Sequence, residues 1–362
     1  MCSEATCDRS DDGTTCGRLR TVTSKILDRK KMTQSLVRGL IILVVAILPP
    51  VLLCAYALGT SAASIMLFGT LVGTLNTVTG GLRLGVSASL FLLLLTPIAL
   101  VSGTVPLAGA CLMAIVSFIA GVSAGWGLNR GIVMIPLGMI FLMALPQPVN
   151  GHQPDPGSEA YLLSILAGMA VCAFWSVGAV YMLIRNKQLP SPPHNTVGDT
   201  AQYAITISLL VSVATYYVLA FGRENHGVWL VLTLLVVLQT GPQSTLSKAW
   251  RRVLGTMAGA LLGALVIAVT DNPVVIGVLV VLALTGTLAF LLSGPYALYS
   301  TFLTLVIVLS AAPGDAVVRT GLERAFFTVL GAILAVGGMA VAEWLRRRPT
   351  VQHLTKPSAH SA

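Results

Sequence analysis

Two arginines are the first candidates for functional residues in this sequence. Arg252 and Arg324 each open the pattern Arg-x-x-x-Thr-x-x-Gly-Ala, whose threonines are Thr256 and Thr328. A guanidinium presents a planar fork of donors that matches a carboxylate. We therefore predict that both arginines, together with the two threonines and the adjacent Arg251, bind an organic anion.

A stripe of small residues follows the first of these arginines. Glycines at four-residue spacing fall on one helical face and let another helix approach closely. The residues predicted to pack in this way are Gly255, Gly259 and Gly263, with Gly331 at the corresponding place after the second arginine.

The same arginines have a simpler explanation as markers of helix ends. Basic side chains next to an apolar run collect on the cytoplasmic side and extend to the headgroups. Adjacent residues of a helix differ by about 100° in direction, so Arg251 and Arg252 cannot share a face. We expect Arg251 to continue the glycine stripe towards a partner helix and Arg252 to lie on the Thr256 side.

The apolar run Val228–Leu238 is short for a helix that must cross a hydrocarbon core of about 30 Å, and it ends at Gln239 and Gly241-Pro242. Broken helices leave free amides and carbonyls that bind substrates and ions in transporters, which makes Gln239 a candidate for substrate binding. An ordinary surface loop is the alternative. Trp229 is either an interfacial anchor or a platform on which an aromatic acid stacks.

Carboxylates that could couple transport to protons lie near helix ends, and none lies in the middle of an apolar run. Glu323 and Glu159 are the first candidates, followed by Asp199, Asp271 and His226. The sequence has no phosphate-binding loop, metal-ligand cluster or nucleophile elbow. We therefore expect no catalytic residue, no cofactor, no metal and no enzymatic activity.

The elements that must position these residues are membrane helices. The 362 residues are 55% hydrophobic and only 10% charged, which is too little polar surface for a soluble globule. Strand-like alternation is absent and helices satisfy the backbone in lipid, so the expected fold class is all-α. We predict about twelve transmembrane helices, at Leu40–Leu58, Ala62–Val78, Leu84–Val101, Val105–Gly125, Ile132–Leu145, Ala160–Ile184, Ala201–Phe221, Val228–Thr240, Val253–Val269, Val274–Leu292, Tyr296–Ala312 and Ala325–Trp344.

Basic residues are distributed unevenly over the connections between these helices. With twelve helices, nineteen lie in inner segments and three in outer ones, which predicts an inner-membrane protein with both termini in the cytoplasm. The predicted organisation is a basic tail 1–37, a six-helix half 38–184, a linker 185–199, a second six-helix half 200–345 and a tail 346–362. The expected partners are a small organic anion and membrane lipid, with no nucleic acid, and a homo-oligomer is left open.

Internal matches relate parts of the second half to one another. Leu232–Leu238 (LTLLVVL) resembles Leu303–Leu309 (LTLVIVL), and Arg252 pairs with Arg324 72 residues later. Three helices separate the matched positions, so the two triplets are predicted to form an inverted repeat. A weaker match relates the two six-helix halves as parallel repeats. In the inverted repeat the two arginines are expected at opposite ends of the membrane, where an anion passes from one to the other.

The second half also contains an ordered set of residues, namely Trp229, Gln239, Pro242, Arg252, Gly255, Thr256 and Gly259. Their order resembles the pattern W…LQ-P…R-x-x-GT-x-x-G of the fusaric-acid-resistance and aromatic-acid-exporter family. The resemblance implies export of aromatic or other organic acids across a bacterial inner membrane. A distant similarity to the plant aluminium-activated malate transporters implies an arginine-lined anion path between two six-helix units.

The leading hypothesis from the sequence is a secondary transporter that exports an organic acid anion, with aromatic acids as one class of cargo. A passive anion channel is the first alternative, and it would show unitary currents that do not depend on a proton gradient. A non-transporting membrane scaffold for envelope assembly is the second. A scaffold would lack a continuous polar path between its helices.

Overall fold

The computed structural model describes residues 37, 39–185, 195–222, 227–270, 272–293, 295–309 and 315–347. Several predicted features lie outside the described residues, namely residues 1–36 of the N-terminal tail with its three cysteines, most of the linker, Asp271, His226 and residues 348–362 of the C-terminal tail. Apolar runs form the helices that the described part of the chain contains. These are α1 (Leu48–Leu58, continuing a π-helical segment Leu43–Ile47), α2 (Thr60–Ser102), α3 (Pro106–Val122), α4 (Met134–Ala144, preceded by the turn Asn129–Ile132), α5 (Glu159–Ile184), α6 (Val197–Tyr217, continued by π-helical Val218–Gly222), α7 (Val228–Val237), α8 (Pro242–Val269), α9 (Pro273–Ser293), α10 (Tyr296–Leu309) and α11 (Asp315–Arg347).

The chain is an all-α, multi-pass membrane protein. Over the described residues, eight helices are long and apolar enough to cross a membrane, and three shorter apolar helices accompany them, at Asn129–Ala144, Val228–Val237 and Tyr296–Leu309. Helix length and composition therefore support eight candidate spans over these residues, and the predicted twelve are not shown. The difference has two causes: three of the predicted spans are short helices, and two others lie within α2.

Helix α2 reverses direction at a single glycine. Gly81 has φ 76° and ψ −169°, a conformation that glycine adopts without strain. A Cβ on Gly85 would stand 3.2 Å from the Cβ of Thr77, although eight residues of straight helix would separate the two by about 12 Å. The two arms of α2 therefore fold back against each other, as the separate runs Ala62–Val78 and Leu84–Val101 predict.

The glycine stripe of α8 packs on α10, with the two helices running in the same direction. Cβ atoms added to Gly255, Gly259 and Gly263 would stand 2.7 Å from Ser300 Cβ, 2.7 Å from Thr304 Cβ and 2.9 Å from Val308 Cβ, respectively. Gly331 of α11 packs in the same manner on α7, where a Cβ would stand 2.8 Å from Thr233 Cβ and 3.2 Å from the carbonyl oxygen of Leu230. These contacts fix α8 and α11, the two helices that hold the arginines.

The two halves of the chain meet mainly through α3 and α6, which run antiparallel. Two serines of α6 donate hydrogen bonds to backbone carbonyls of α3: Ser208 to Ala114 at 2.8 Å and Ser212 to Ala110 at 3.0 Å. Next to this seam, α4 packs on α7, where the Phe141 ring lies 5.7 Å from the Trp229 ring. The contact between α4 and α7 contributes to the candidate site.

Adding a methyl group at Gly259 is expected to destabilise the protein. The nearest atom to the new Cβ would be the backbone oxygen of Thr301, which cannot move without separating α8 from α10. Overpacking of this kind costs about 1–3 kcal/mol, which outweighs the roughly 1 kcal/mol that Ala gains over Gly in a helix. We expect Gly259→Ala to melt at a lower temperature than the parent protein in detergent.

The matched control is Gly277→Ala on α9, where an added Cβ meets no atom within 4 Å. There only the helix-propensity gain applies, so this variant should melt at the same temperature or slightly higher. Equal shifts in the two variants would contradict the close approach of α8 and α10.

Candidate anion-binding site

Arg252 and Arg324 lie well inside their helices. Helix α8 begins at Pro242 and α11 at Asp315, so each arginine follows about nine or ten helical residues and lies roughly 15 Å from its helix start. The predicted apolar runs begin later, at Val253 and Ala325, because the first turns of both helices are polar. Both arginines thus lie deeper in their helices than the helix-end interpretation expects.

Both arginine side chains are removed from solvent, and five of their six guanidinium nitrogens lack a hydrogen-bond partner among the described residues. Arg252 is 1% exposed and Arg324 is 0% exposed, and they are the two largest fully buried side chains of the described residues. Nε and Nη1 of Arg252 and all three guanidinium nitrogens of Arg324 have no hydrogen-bond partner in the described part of the protein. A buried unpaired ion costs several kcal/mol, and the described residues offer these five nitrogens no acceptor that would offset this cost.

The two guanidinium groups lie close to each other. Arg324 interacts electrostatically with Arg252, and both interact with the buried Tyr299 of α10. The expectation that they occupy opposite ends of the membrane does not fit the structure, because their charges interact with each other and with the same tyrosine. The result is a pair of like charges around one tyrosine.

The Arg324 guanidinium also stacks on an indole. Its Cζ atom lies 4.1 Å from the centre of the Trp229 ring, and Phe141 contacts the same ring edge-on. Trp229 is only 8% exposed. It is therefore not an anchor at the lipid interface; its ring instead holds a cation in place, a contact worth about 2 kcal/mol when desolvated.

A cavity of about 280 Å³ lies next to Trp229, at the seam between the two halves. Its walls are mainly apolar and aromatic, with one amide. The lining residues are Ser64, Ile65, Leu67, Phe68, Phe141, Leu145, Gln147, Trp229, Leu232 and Ile307. Trp229 thus contacts both this cavity and the guanidinium of Arg324.

Further cations lead from the protein surface to the arginine pair. The exposed Arg130 interacts electrostatically with Lys248, and Lys248 interacts with Arg252. Lys248 is half-buried, with its Nζ 5.1 Å from the centre of the Tyr296 ring. From the sequence we expect an arginine rather than Lys248 to contact the anion. Lys248 nevertheless precedes Arg252 by four residues, which places both side chains on one helical stripe.

The other predicted substrate-binding residues divide into buried and exposed ones. Thr256 and Thr328 are 0% and 1% exposed, and Thr256 Oγ1 lies 3.3 Å from Ser300 Oγ. Arg251 is exposed. Its predicted position on the glycine stripe is wrong, because 3.6 residues per turn align Arg252 with the buried glycines and leave Arg251 outside.

The predicted break between α7 and α8 is present. The backbone amide of Gln239 donates to Thr245 Oγ1 at 3.1 Å, and the Thr245 hydroxyl donates to the carbonyl oxygen of Gly241 at 2.8 Å. The half-buried Gln239 side chain donates to the adjacent carbonyl of Leu238. The Thr245 side chain therefore bridges backbone groups of Gln239 and Gly241 within the break. Gln239 lies at this break rather than beside Arg252 and Arg324. The equivalent break at residues 311–314 lies outside the described residues.

The carboxylates predicted as proton carriers differ in their surroundings. Glu159 is exposed in the first turn of α5, and Glu323 is half-buried next to Arg324 in α11. Asp199 is bound at the surface by Arg346, with an N–O distance of 2.6 Å. None of the three guanidinium nitrogens of Arg324 has a hydrogen-bond partner among the described residues, so no described carboxylate is bonded to it.

Residues 196–338 match a family profile described as fusaric acid resistance protein-like. The matched region contains both buried arginines and Trp229. This part of the chain is therefore similar to the fusaric acid resistance protein-like family. The resemblance seen in the residue pattern is therefore confirmed for the second half, and the match does not extend to the first.

Two curated proteins are similar to part of this chain. One is an uncharacterized protein, ORF2, of Neisseria gonorrhoeae, 29% identical over 147 residues, which are 40% of this chain and 34% of that protein. The other is the inner membrane protein YccS of Escherichia coli strain K12, 29% identical over 135 residues, which are 37% of this chain and 18% of that protein. The matched segments thus span about a third or less of these relatives. No solved structure matches the chain.

Proposed function

We propose that this protein is a secondary transporter that exports an organic acid anion across the inner membrane, with Arg252 and Arg324 as the anion-binding residues. The observation that carries the proposal is the pair of buried guanidinium groups with five unpartnered nitrogens between them. An incoming carboxylate would supply the missing acceptors and offset the charge. A guanidinium binds a carboxylate through two parallel hydrogen bonds.

The series of cations supports a route to this pair. Arg130, Lys248 and Arg252 follow one another from the exposed turn before α4 to the interior. Under the proposed topology, with both termini in the cytoplasm, Arg130 and Lys248 lie at the cytoplasmic end. A positively lined approach raises the local concentration of anions. An anion would therefore enter from the cytoplasm, as export requires.

The aromatic cavity supports the organic character of the cargo. It lies beyond Trp229, where α2 and α7 begin and α4 and α10 end, which is the outer side in the proposed topology. An anion held by Arg324 could place its apolar body against Phe68, Phe141 and Trp229. Burial of that body would contribute about 25 cal/mol per Å². An aromatic acid is one class of cargo that fits this description.

Matched packing contacts support the inverted repeat that alternating access uses. Gly259 packs on Thr301 and Thr304 of α10, and Gly331 packs on Leu230 and Thr233 of α7. The two glycines are 72 residues apart, and the contacted residues are 71 apart. We propose that residues 200–345 form this repeat and that the halves together make twelve crossings, with both arms of α2 counted.

A flux assay tests the proposal directly. The full chain is reconstituted in liposomes loaded with a panel of radiolabelled aliphatic and aromatic carboxylates, and release is followed with and without a pH gradient. We expect saturable, protein-dependent release of at least one carboxylate. No release of any carboxylate above that of protein-free liposomes would overturn the proposal.

A passive anion channel is the second candidate, because the cation series from Arg130 inwards also suits conduction. The two functions differ in a planar bilayer. A channel gives unitary currents that grow with anion concentration and ignore the proton gradient, whereas a carrier gives saturable flux without unitary events. Unitary currents carried by the same carboxylates would show that the protein is a channel and not a carrier.

A further inference from the structure

Four sulfur-bearing side chains meet in the core of the first half, between α1, α2 and α5. The Sγ atoms of Cys54 and Cys172 lie 3.6 Å apart, and Cys54 Sγ lies 3.7 Å from the carbonyl oxygen of Gly168. Met66 Sδ lies against the same glycine, 2.8 Å from the position of an added Cβ. Met169 precedes Cys172 by three residues and so shares its helical face.

This sulfur cluster, made of Cys54, Met66, Met169 and Cys172, is closed to solvent. Cys54 is 4% exposed, and the other three residues are 0% exposed. Met169 Sδ and Cys172 Cβ both lie 3.3 Å from the Cβ position of Gly69 on α2. The four side chains therefore converge from three helices, away from the arginine pair.

We propose that the sulfur cluster binds one soft monovalent metal ion, Cu(I) or Ag(I). Thiolate and thioether sulfur are the ligands that select Cu(I) over harder ions. An ion between sulfurs 3.6 Å apart can contact both at the ordinary metal–sulfur distance of about 2.3 Å. The two methionines supply further polarizable sulfur nearby.

A monovalent ion is compatible with the charge balance of the cluster. Cys54 and Cys172 are free cysteines whose sulfurs are in contact, and either sulfur can donate to the other. A monovalent ion replaces one thiol proton, which leaves for solvent, so the buried site keeps its charge and nothing is oxidised or reduced. A divalent ion would have to displace both thiol protons to leave the site neutral, and the soft sulfur ligands favour Cu(I) and Ag(I) over harder ions.

Silver binding by the full chain tests this proposal. Ag(I) is a suitable probe because it undergoes no redox change when it binds. The background variant carries serine in place of Cys2, Cys7, Cys16 and Cys111, so that only the clustered thiols remain. We expect the purified, reduced protein in detergent to bind one Ag(I) per chain, measured by calorimetry and by elemental analysis after desalting. Cys54→Ser or Cys172→Ser should weaken binding at least tenfold, and Met66→Leu by a smaller factor.

The controls separate binding from folding. Each variant is checked for a monodisperse elution profile and for its melting temperature. If the serine variants fail to fold, the background protein answers the question by itself: bound Ag(I) should protect Cys54 and Cys172 from alkylation, as read by peptide mass spectrometry. Absence of a silver ion from the background protein, unprotected thiols, or a disulfide between the two cysteines under reducing conditions would each overturn the proposal.

Discussion

Replacement of Arg324 by methionine is expected to abolish anion binding and, at the same time, to raise the melting temperature of the ligand-free protein. The side chain is fully buried and none of its three nitrogens has a partner in the described protein. Replacing buried charges by well-packed apolar residues is often neutral or stabilising, by about 1–4 kcal/mol. The charge is nevertheless needed for the anion, so affinity should fall at least about 100-fold, roughly 2.7 kcal/mol.

The measurement is a thermal shift series with increasing concentrations of a transported carboxylate. The parent protein should melt higher as the anion concentration rises, since a ligand that binds only the folded state stabilises it. Arg324→Met should start higher and show no shift, and Arg252→Met should behave likewise. Arg251→Met is the matched control, because Arg251 is exposed one residue from Arg252 on the same helix. A parent-like anion response in Arg324→Met would remove this residue from the site.

Replacement of Trp229 by alanine is expected to destabilise the folded protein more than any of the other proposed substitutions. Removal of a buried tryptophan costs about 3–5 kcal/mol through lost burial and the void left behind. The substitution also joins the space of the ring to the existing cavity of about 280 Å³ and removes the surface on which Arg324 stacks. We expect a lower melting temperature and weaker binding of the carboxylate.

The control for this change is Trp250→Ala, because Trp250 is 63% exposed on α8. Its removal should leave both melting temperature and anion affinity close to those of the parent. Trp229→Phe retains an aromatic face for Arg324 and should recover most of the affinity. If Trp229→Ala and Trp250→Ala lose the same stability, the packing of Trp229 between Phe141 and Arg324 does not contribute as described.

The helices of this protein were largely predictable, and the depth of its charges was not. Long apolar runs identify membrane helices, and the runs on either side of Gly81 correspond to the two arms of α2. The starts of α8 and α11 were placed too late, because their first turns are polar and fall outside the apolar runs. That error put Arg252 and Arg324 at the surface instead of the interior.

The candidate site was predictable only where one helix carries the pattern. The repeated motif around Arg252 and Arg324 identifies both arginines, and the family pattern includes Trp229. Phe68 and Phe141 come from the other half of the chain, and their contact with Trp229 depends on how α2 and α4 pack against α7. Such long-range contacts leave no local trace in the sequence.

The reversal at Gly81 has a consequence for how the chain enters the bilayer during synthesis. The arms of α2 are joined without any connecting loop, and Arg83, two residues past the bend, is exposed. Both arms are then expected to leave the insertion machinery together as one helical hairpin. In the proposed topology Arg83 would hold that bend on the cytoplasmic face. The order of insertion in the first half is thus encoded by one backbone conformation and one charge.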